Sequence, residues 1–419
     1  MPNPVNRENM EFELNPDRFN YVLDLFRLTK DEFISRLNEG RKKEVLNLNE
    51  LNDILNKKAK IKLSVLKKID EIFKQGLTWY ISQRELPERQ KSSIFFRKDS
   101  FNTSLNFESK KLVANYEDLK FELQILCKQI NFKPNRIMNE YKISDDPEIA
   151  GKEIREKFDE IQSELIDKKI IKKIIKKDGT DRDYLVNLIR TIERLNVFVF
   201  EHVDRKRKPE KLITFNGFFM LPNIIVVKRQ QKYMRREIFT LLHEFAHYLL
   251  NIEEIDEDVE TNNFENQNTV EQWCNTFTYS FLIKNHEKEF SNLKFASTEN
   301  NFYKEEIKEL RGKTYLSELA LYTRLRIENR ITRHDYDKIK NEIIKNIREK
   351  SQEEIKIKEE QSLKKEQGET PFIRGPEEIK SNLFEEIIKI NYFEGNITET
   401  ELREHLKIKP NKCTEEVVY

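Results

Sequence analysis

The chain has 419 residues, 36% charged and 37% hydrophobic, and its 76 basic and 75 acidic side chains leave a net charge of +1. That length predicts two or three domains, and the charge balance excludes a globally basic nucleic-acid binder, so any basic patch has to be local. Three scattered cysteines (Cys127, Cys274, Cys413) without C-x-x-C spacing exclude a disulfide scaffold, and the absence of a signal-like apolar start or of any run of roughly 18 apolar residues predicts a soluble, cytoplasmic protein with no membrane partner.

From 15 to 75, apolar residues recur at helical spacing: Phe19, Val22, Leu23 and Phe26, then Phe33, Ile34 and Leu37, then Leu51, Ile54 and Leu55, then Val65, Leu66, Ile69, Ile72 and Phe73. Thr29, with Glu32 three residues later, spells a capping box at the start of the second helix. Short helices joined by tight turns predict a helix-turn-helix-like domain at 1–105, and a small bundle that binds nothing fits the same pattern. A DNA-contacting version would present Lys62, Lys67 and Lys68 around the helix at 64–73. Residues 76–105 form a mixed connector ending in an aromatic-basic patch. The region 106–195 is predicted to be mostly helical, and IIKKIIKK at 170–177 is expected to be the solvated face of a basic amphipathic helix.

At 196 the texture changes. VFVFEHV, LITFNGFFM and NIIVVK are short β-rich runs separated by turn signals at Lys208-Pro209, Asn216-Gly217 and Leu221-Pro222. Asn216-Gly217 fits either a tight turn or a bulge inside the middle run. Next comes IFTLLHEFAHYLL, an apolar run that predicts a buried helix carrying His243, Glu244 and His247 as H-E-x-x-H. Residues four apart share a helix face, so both imidazoles can reach one metal ion. Glu244 sits where it can touch a water on that ion. This is the zinc-peptidase arrangement, two His ligands with a Glu general base. An ordinary core helix with two satisfied histidines is the plainer alternative, and spending two of the chain's 6 His on one helical turn argues against it.

An acidic loop at 253–265 follows, and a second helix begins near Thr269. The core is therefore placed at 196–300, with a helical subdomain at 301–350 (two helices around a polar turn at 315–336), a charged linker at 351–375 and a small terminal module at 376–419 made of a helix, a Gly turn and a capped helix. The expected fold class is α+β, a zincin-like metallopeptidase core with a small sheet, flanked by helical N- and C-terminal modules.

Catalytic zinc usually takes three protein ligands and a water. In the extended HExxHxxGxxH pattern the Gly position here is Leu250 and the last position Glu253; Leu cannot easily supply the turn, so Glu253 is set aside. Glu271 is the better candidate, because a helix packed antiparallel on the first would bring it to the ion. Asn275, one turn on, would orient a ligand imidazole. Cys274 is read as a small buried hydrophobe. Spacing alone leaves Glu271 two roles, metal ligand or helix N-terminal acid. Extended peptide is expected to pair with the edge of the strand Ile224–Lys228. Tyr248, Tyr279 and His286 are the candidates for oxyanion stabilisation.

Together these residues resemble the gluzincin-like ImmA/IrrE family of metallo-endopeptidases. That family carries F-T-x-x-H-E-x-x-H and a later E-x-x-x-N-x-F; here Phe239-Thr240 precede His243, and Glu271, Asn275 and Phe277 follow in register. FNGFFMLPNIIVV is similar to the family's glycine turn and strand. The resemblance implies that His243, His247 and Glu271 ligate Zn2+ and that Glu244 is catalytic. More weakly, residues 15–75 (with 38–49 as an insertion), Phe95-Phe96-Arg97-Lys98, SELALYTRL and EGNITETELREHL resemble the family's helix-turn-helix, connector and C-terminal elements. The implied function is an intracellular zinc endopeptidase that cleaves one protein, such as a partner transcriptional repressor. The competing expectation is a DNA-binding regulator or toxin–antitoxin component using the zincin fold as an interaction scaffold.

Overall fold

In the computed structural model of the protein, residues 10–26, 28–84, 105–138, 140–174, 180–203, 213–229, 234–253, 255–257, 269–347, 349 and 377–408 are described. The aromatic-basic element at 95–98, Lys208-Pro209, the linker at 351–375 and Cys413 lie outside them.

Side-chain caps start the N-terminal helices where the sequence places them. Asn15 accepts from the N–H groups of Asp17 and Arg18 at the head of α1 (Pro16–Leu25). Thr29 and Glu32 form the expected capping box on α2 (Lys30–Asn38), and Asn47 with Glu50 repeats it on α3 (Leu48–Leu55). Between α2 and α3 the chain is held by Asn38, whose side chain donates to the Leu46 carbonyl at 2.9 Å and accepts from the Val45 N–H at 2.6 Å. α4 (Leu63–Phe73) and α5 (Leu77–Ile81) complete the bundle. Its core is aromatic: Phe33 stacks on Phe73 at 5.6 Å and meets the edge of Phe19 at 5.1 Å. Two two-residue strands, β1 (Glu11–Phe12) and β2 (Ile61–Lys62), pair antiparallel, an element too short to leave a period in the sequence. α6 (Phe107–Gln129) follows. The described residues up to Leu119 make one compact unit, and nearly all those from Lys120 make a second.

In the second unit, α7 (Pro147–Asp167) is capped by Asp146, and α8 (Asp181–Glu193) by a Thr180–Asp183 box. The basic helix expected at 170–177 does not form over its described part. α7 ends at Asp167, Lys169 takes a left-handed φ of 58°, and Ile171 turns into the interior. Burial of one isoleucine, not the amphipathic repeat, sets the path there.

The sheet runs β3 (Phe198–His202), β5 (Ile224–Lys228), β4 (Phe215–Met220), β6 (Ile255–Glu257), in that spatial order. β3 pairs parallel with β5; β4 pairs antiparallel with both β5 and β6. Strand β5 is thus interior, with both backbone edges used, and the expected edge pairing of substrate on Ile224–Lys228 is excluded. Two sequence-adjacent strands, β4 and β5, form a hairpin, but the parallel partner inserts from 26 residues upstream at Phe198↔Ile224; the single-sequence pattern carries no sign of that. Asn216-Gly217 is no turn. It lies within β4, where a register shift against β6 between Phe215 and Phe218 marks a bulge. β6 itself falls in what reads as an acidic loop.

One face of the sheet, through Val199, Phe219, Ile225 and Val227, joins the main core under α9 (Met234–Leu250). On the other face Phe200 meets Phe384 at 5.5 Å. α10 (Thr269–Ile283) packs between α9 and α7. Its approach to α7 depends on Gly151: a Cβ there would lie 2.7 Å from the Phe277 carbonyl oxygen. α11 (Glu287–Asn292), α12 (Lys304–Lys313), α13 (Glu318–Ile327) and α14 (333–347) continue the helical layer. The terminal module is α15 (Asn382–Phe393), a Gly395 turn at φ 72° and α16 (Glu399–His405) with its Thr398–Glu401 box, as expected. It is tied to the core by Ser381, which donates to Glu193 at 2.6 Å, and by the Ile379 N–H, which donates to Glu201. The fold is α+β, and no described helix is long and apolar enough to cross a membrane.

Candidate metal centre

α9 is buried on all sides from Thr240 to Leu250. Polar side chains in such a place lose their water and have to find partners. His243, Glu244 and His247 are each 1% exposed, and Glu271 on α10 is 7% exposed. The two helices run antiparallel, which brings Glu271 across both histidines. Nε2 of His243 lies 3.0 Å from Glu271 Oε2, Nε2 of His247 lies 3.2 Å from Glu271 Oε1, and the two Nε2 atoms are 3.2 Å apart.

That triangle fits a metal ion. Ligand atoms held about 2.0–2.1 Å from one ion at tetrahedral angles lie roughly 3.3 Å from each other. Two imidazole nitrogens and both oxygens of one carboxylate converge on the same space, an arrangement that repels itself unless a cation or shared protons sit between. The donor set, N, N and O, suits a borderline divalent ion. Burial pushes the Glu271 carboxyl up, but protons shared with the His243 and His247 rings outweigh it and hold the group well below its ordinary range. Among the described residues, His243, His247 and Glu271 are the one cluster of three or more His, Cys, Asp or Glu able to converge on an ion.

Around the triangle, Nδ1 of His243 stands 3.1 Å from Oδ1 of Asn275. As an N–H donor to that oxygen it leaves Nε2 as the lone-pair nitrogen facing the cluster. Nδ1 of His247 is buried and makes no hydrogen bond within the described residues. Glu244 is not part of the triangle. It follows His243 on the helix, and its stem packs beside Gly217 of β4: a Cβ at 217 would sit 3.1 Å from Glu244 Cγ and 2.7 Å from Thr240 Cγ2. Gly217 therefore lets the strand run against the helix where the acid stands. A lone Gly inside an aromatic strand is the signal that could have revealed this close approach.

The other candidates go elsewhere. Glu253 accepts from the Leu221 N–H at 2.7 Å and faces Lys120 at 3.9 Å. Cys274 is a buried free thiol. Tyr248 points into the core against Phe219 and Phe245, with the Arg136 guanidinium over its ring. His286 pairs with Glu289 at 3.0 Å on the far end of α10. Both leave the oxyanion question. Tyr279 stays close: Glu271, Asn275 and Tyr279 follow one another at intervals of four along α10, and Tyr279 lines a cavity with Phe239, Thr240 and Asn275. Of the three lysines expected around a DNA-contacting helix, Lys62 and Lys67 are exposed and Lys68 is half-buried.

Neither curated proteins nor solved structures gave a match to this chain. Residues 192–325 match the family model described as the IrrE N-terminal-like domain, Peptidase_M78. The matched stretch contains the four-stranded sheet, the H-E-x-x-H helix and the helix of Glu271 and Asn275, and through it the zincin-like core of this chain belongs to the ImmA/IrrE family of metallopeptidases.

Proposed function

We propose that the protein is a cytoplasmic zinc-dependent endopeptidase that cleaves a specific protein, such as a partner transcriptional repressor. The observation that carries this reading is the buried cluster of His243, His247 and Glu271 with closest approaches of 3.0–3.2 Å, on a helix that also buries Glu244, the residue after His243. His243, His247 and Glu271 would hold the ion, and zinc is favoured because two imidazoles and one carboxylate make the usual catalytic donor set for it. Bound there, zinc would polarise a scissile carbonyl and acidify a water. Glu244 then takes the proton from the attacking water and returns it to the leaving amide nitrogen. Asn275 keeps the His243 ring oriented. Restriction to one protein substrate rests on the resemblance to the family.

The test uses the full-length chain, its metal content by elemental analysis, and incubation with the product of a neighbouring repressor-like gene. The expected result is about one zinc per chain and a discrete cleavage that Glu244→Gln abolishes while zinc stays bound. Unchanged processing by Glu244→Gln with metal retained would overturn the reading. A regulator that uses the core as a scaffold has one observation in its favour, the exposed Lys62 and Lys67 at α4. It predicts duplex binding that weakens as salt rises, with a phenotype indifferent to Glu244→Gln.

A further inference from the structure

One helical turn upstream of His243, α9, α10 and α13 enclose a cavity of about 90 Å3. Phe239, Thr240, Tyr279, Leu319, Ala320 and Ile327 form much of its wall. It adjoins the metal cluster directly, since Asn275 belongs to both, lining the cavity and bonding to His243. Three arginines also reach it and none is free: Arg235 pairs with Asp181 at 3.1 Å, Arg324 with Glu328 at 2.6 Å and with Glu148, and Arg236 is engaged as well. A charged ligand group would lose its water there without finding an unmatched opposite charge.

Two further observations point to an occupant. The ring of Tyr279 is buried, the residue being 8% exposed, and its hydroxyl has no hydrogen-bond partner among the described residues. The peptidase chemistry derived above makes no use of it. Ile327, at the rim, is 44% exposed, an apolar side chain left in water where the cavity meets the surface. A dry cavity of about 150 Å3 holds benzene, so one of about 90 Å3 suits an aliphatic group smaller than a phenyl ring.

We propose that this cavity is the specificity pocket of the centre: it takes one uncharged aliphatic side chain of the substrate, of valine to leucine size, next to the scissile bond, while the Tyr279 hydroxyl donates to a backbone carbonyl of the same segment. The proposal rests on the endopeptidase reading for the word substrate, but the pocket is testable by binding alone. The probes are capped hexapeptides, identical except for Leu, Gly or Glu at one central position, titrated against the full-length zinc-loaded Glu244→Gln chain. The Leu peptide is expected to bind roughly tenfold or more tightly than the Gly and Glu peptides. Ala320→Phe, which fills the cavity, and Ile327→Glu, on an exposed position that tolerates a charge, should each erase that preference, and Tyr279→Phe should weaken all three peptides alike. Equal affinities for the three, or a Leu preference that survives both Ala320→Phe and Ile327→Glu, overturns the pocket. If the Leu preference holds in binding yet the wild-type chain hydrolyses neither the peptides nor the repressor, the pocket stands and the endopeptidase reading falls.

Discussion

Helices α9 and α4 each close a hydrophobic core, and they differ in what they do with polar side chains. α4 buries Leu66, Ile69 and Phe73 and leaves Lys67 in water, as any surface helix does. α9 buries two histidines and two glutamates along with its leucines. In the N-terminal bundle the buried polar groups include Asn15, a helix cap that also donates to the Ser82 carbonyl, and Arg18, whose guanidinium donates to the Arg84 carbonyl and lies over the Trp79 ring at 5.2 Å; a cap, backbone carbonyls and an aromatic face engage them. A polar group kept in water has solubility as its explanation, whereas one taken out of water costs several kcal/mol unless something compensates it. For that reason chemistry can be read from α9 and not from α4.

The comparison breaks if the buried groups of α9 and α10 turn out to be structural filling. The largest expected effect is on metal binding. Glu271→Gln removes the one anionic member of the triangle, and zinc affinity is expected to fall by well over the roughly 100-fold upper range of an outer partner, measured by competition with a chelating dye. Asn275→Ala removes only the group that orients His243, so its loss should lie in the roughly 10–100-fold range. A Glu271→Gln chain that binds zinc as well as the Asn275→Ala chain would demote Glu271 to a helix N-terminal acid.

Close approach of the strand to the helix gives the next test. Gly217→Ala places a methyl 2.7 Å from Thr240 Cγ2 and 3.0 Å from the Val226 carbonyl oxygen, while Glu244 Cγ is 3.1 Å away. Overpacking of this kind typically lowers stability by about 1–3 kcal/mol, and the displacement acts on Glu244, the side chain proposed to transfer the proton. Chemical denaturation should show a loss in that range, and kcat for the proposed cleavage should fall while zinc content holds. A neutral Gly217→Ala would mean that β4 yields easily and does not position Glu244.

These residues also mark how far the sequence could be read. His243, Glu244 and His247 are legible because the helix fixes their relation locally: four residues is one turn. The pairing with Glu271 depends on two helices lying antiparallel, which no spacing specifies; only the resemblance selected it over a macrodipole role. Gly217 and the interior place of Ile224–Lys228 depend on the order β3-β5-β4-β6, in which a parallel strand enters beside a hairpin. The failed helix at 170–177 has the same origin, since the inward turn of Ile171 prevails over a periodic pattern. The cap at Thr29 and the capped helix of the terminal module came through because a hydroxyl and an acid three residues apart need no partner from elsewhere.

The smallest effect lies in the N-terminal bundle and sharpens the contrast. Thr29→Ala removes the hydroxyl that accepts from the Glu32 N–H at 3.2 Å and donates to Glu32 Oε2 at 3.0 Å. Loss of such a cap costs about 1 kcal/mol, read as a roughly fivefold drop in hydrogen-exchange protection across α2, with zinc affinity and cleavage unchanged. The effect has a pH signature. Hydrogen bonds from the Thr29 backbone and side chain hold the Glu32 carboxyl below its ordinary value. A depressed folded-state value means that the carboxylate contribution is present above the unfolded carboxyl range and is lost as pH falls through the folded one. The gap between wild type and Thr29→Ala should therefore narrow on acidification. It should not close, because the bond from the Glu32 N–H to the hydroxyl carries no titrating group. A gap constant from neutral to acid pH would show that the carboxylate half of the box adds nothing, and that α2 is held by burial of Phe33 and Leu37 alone.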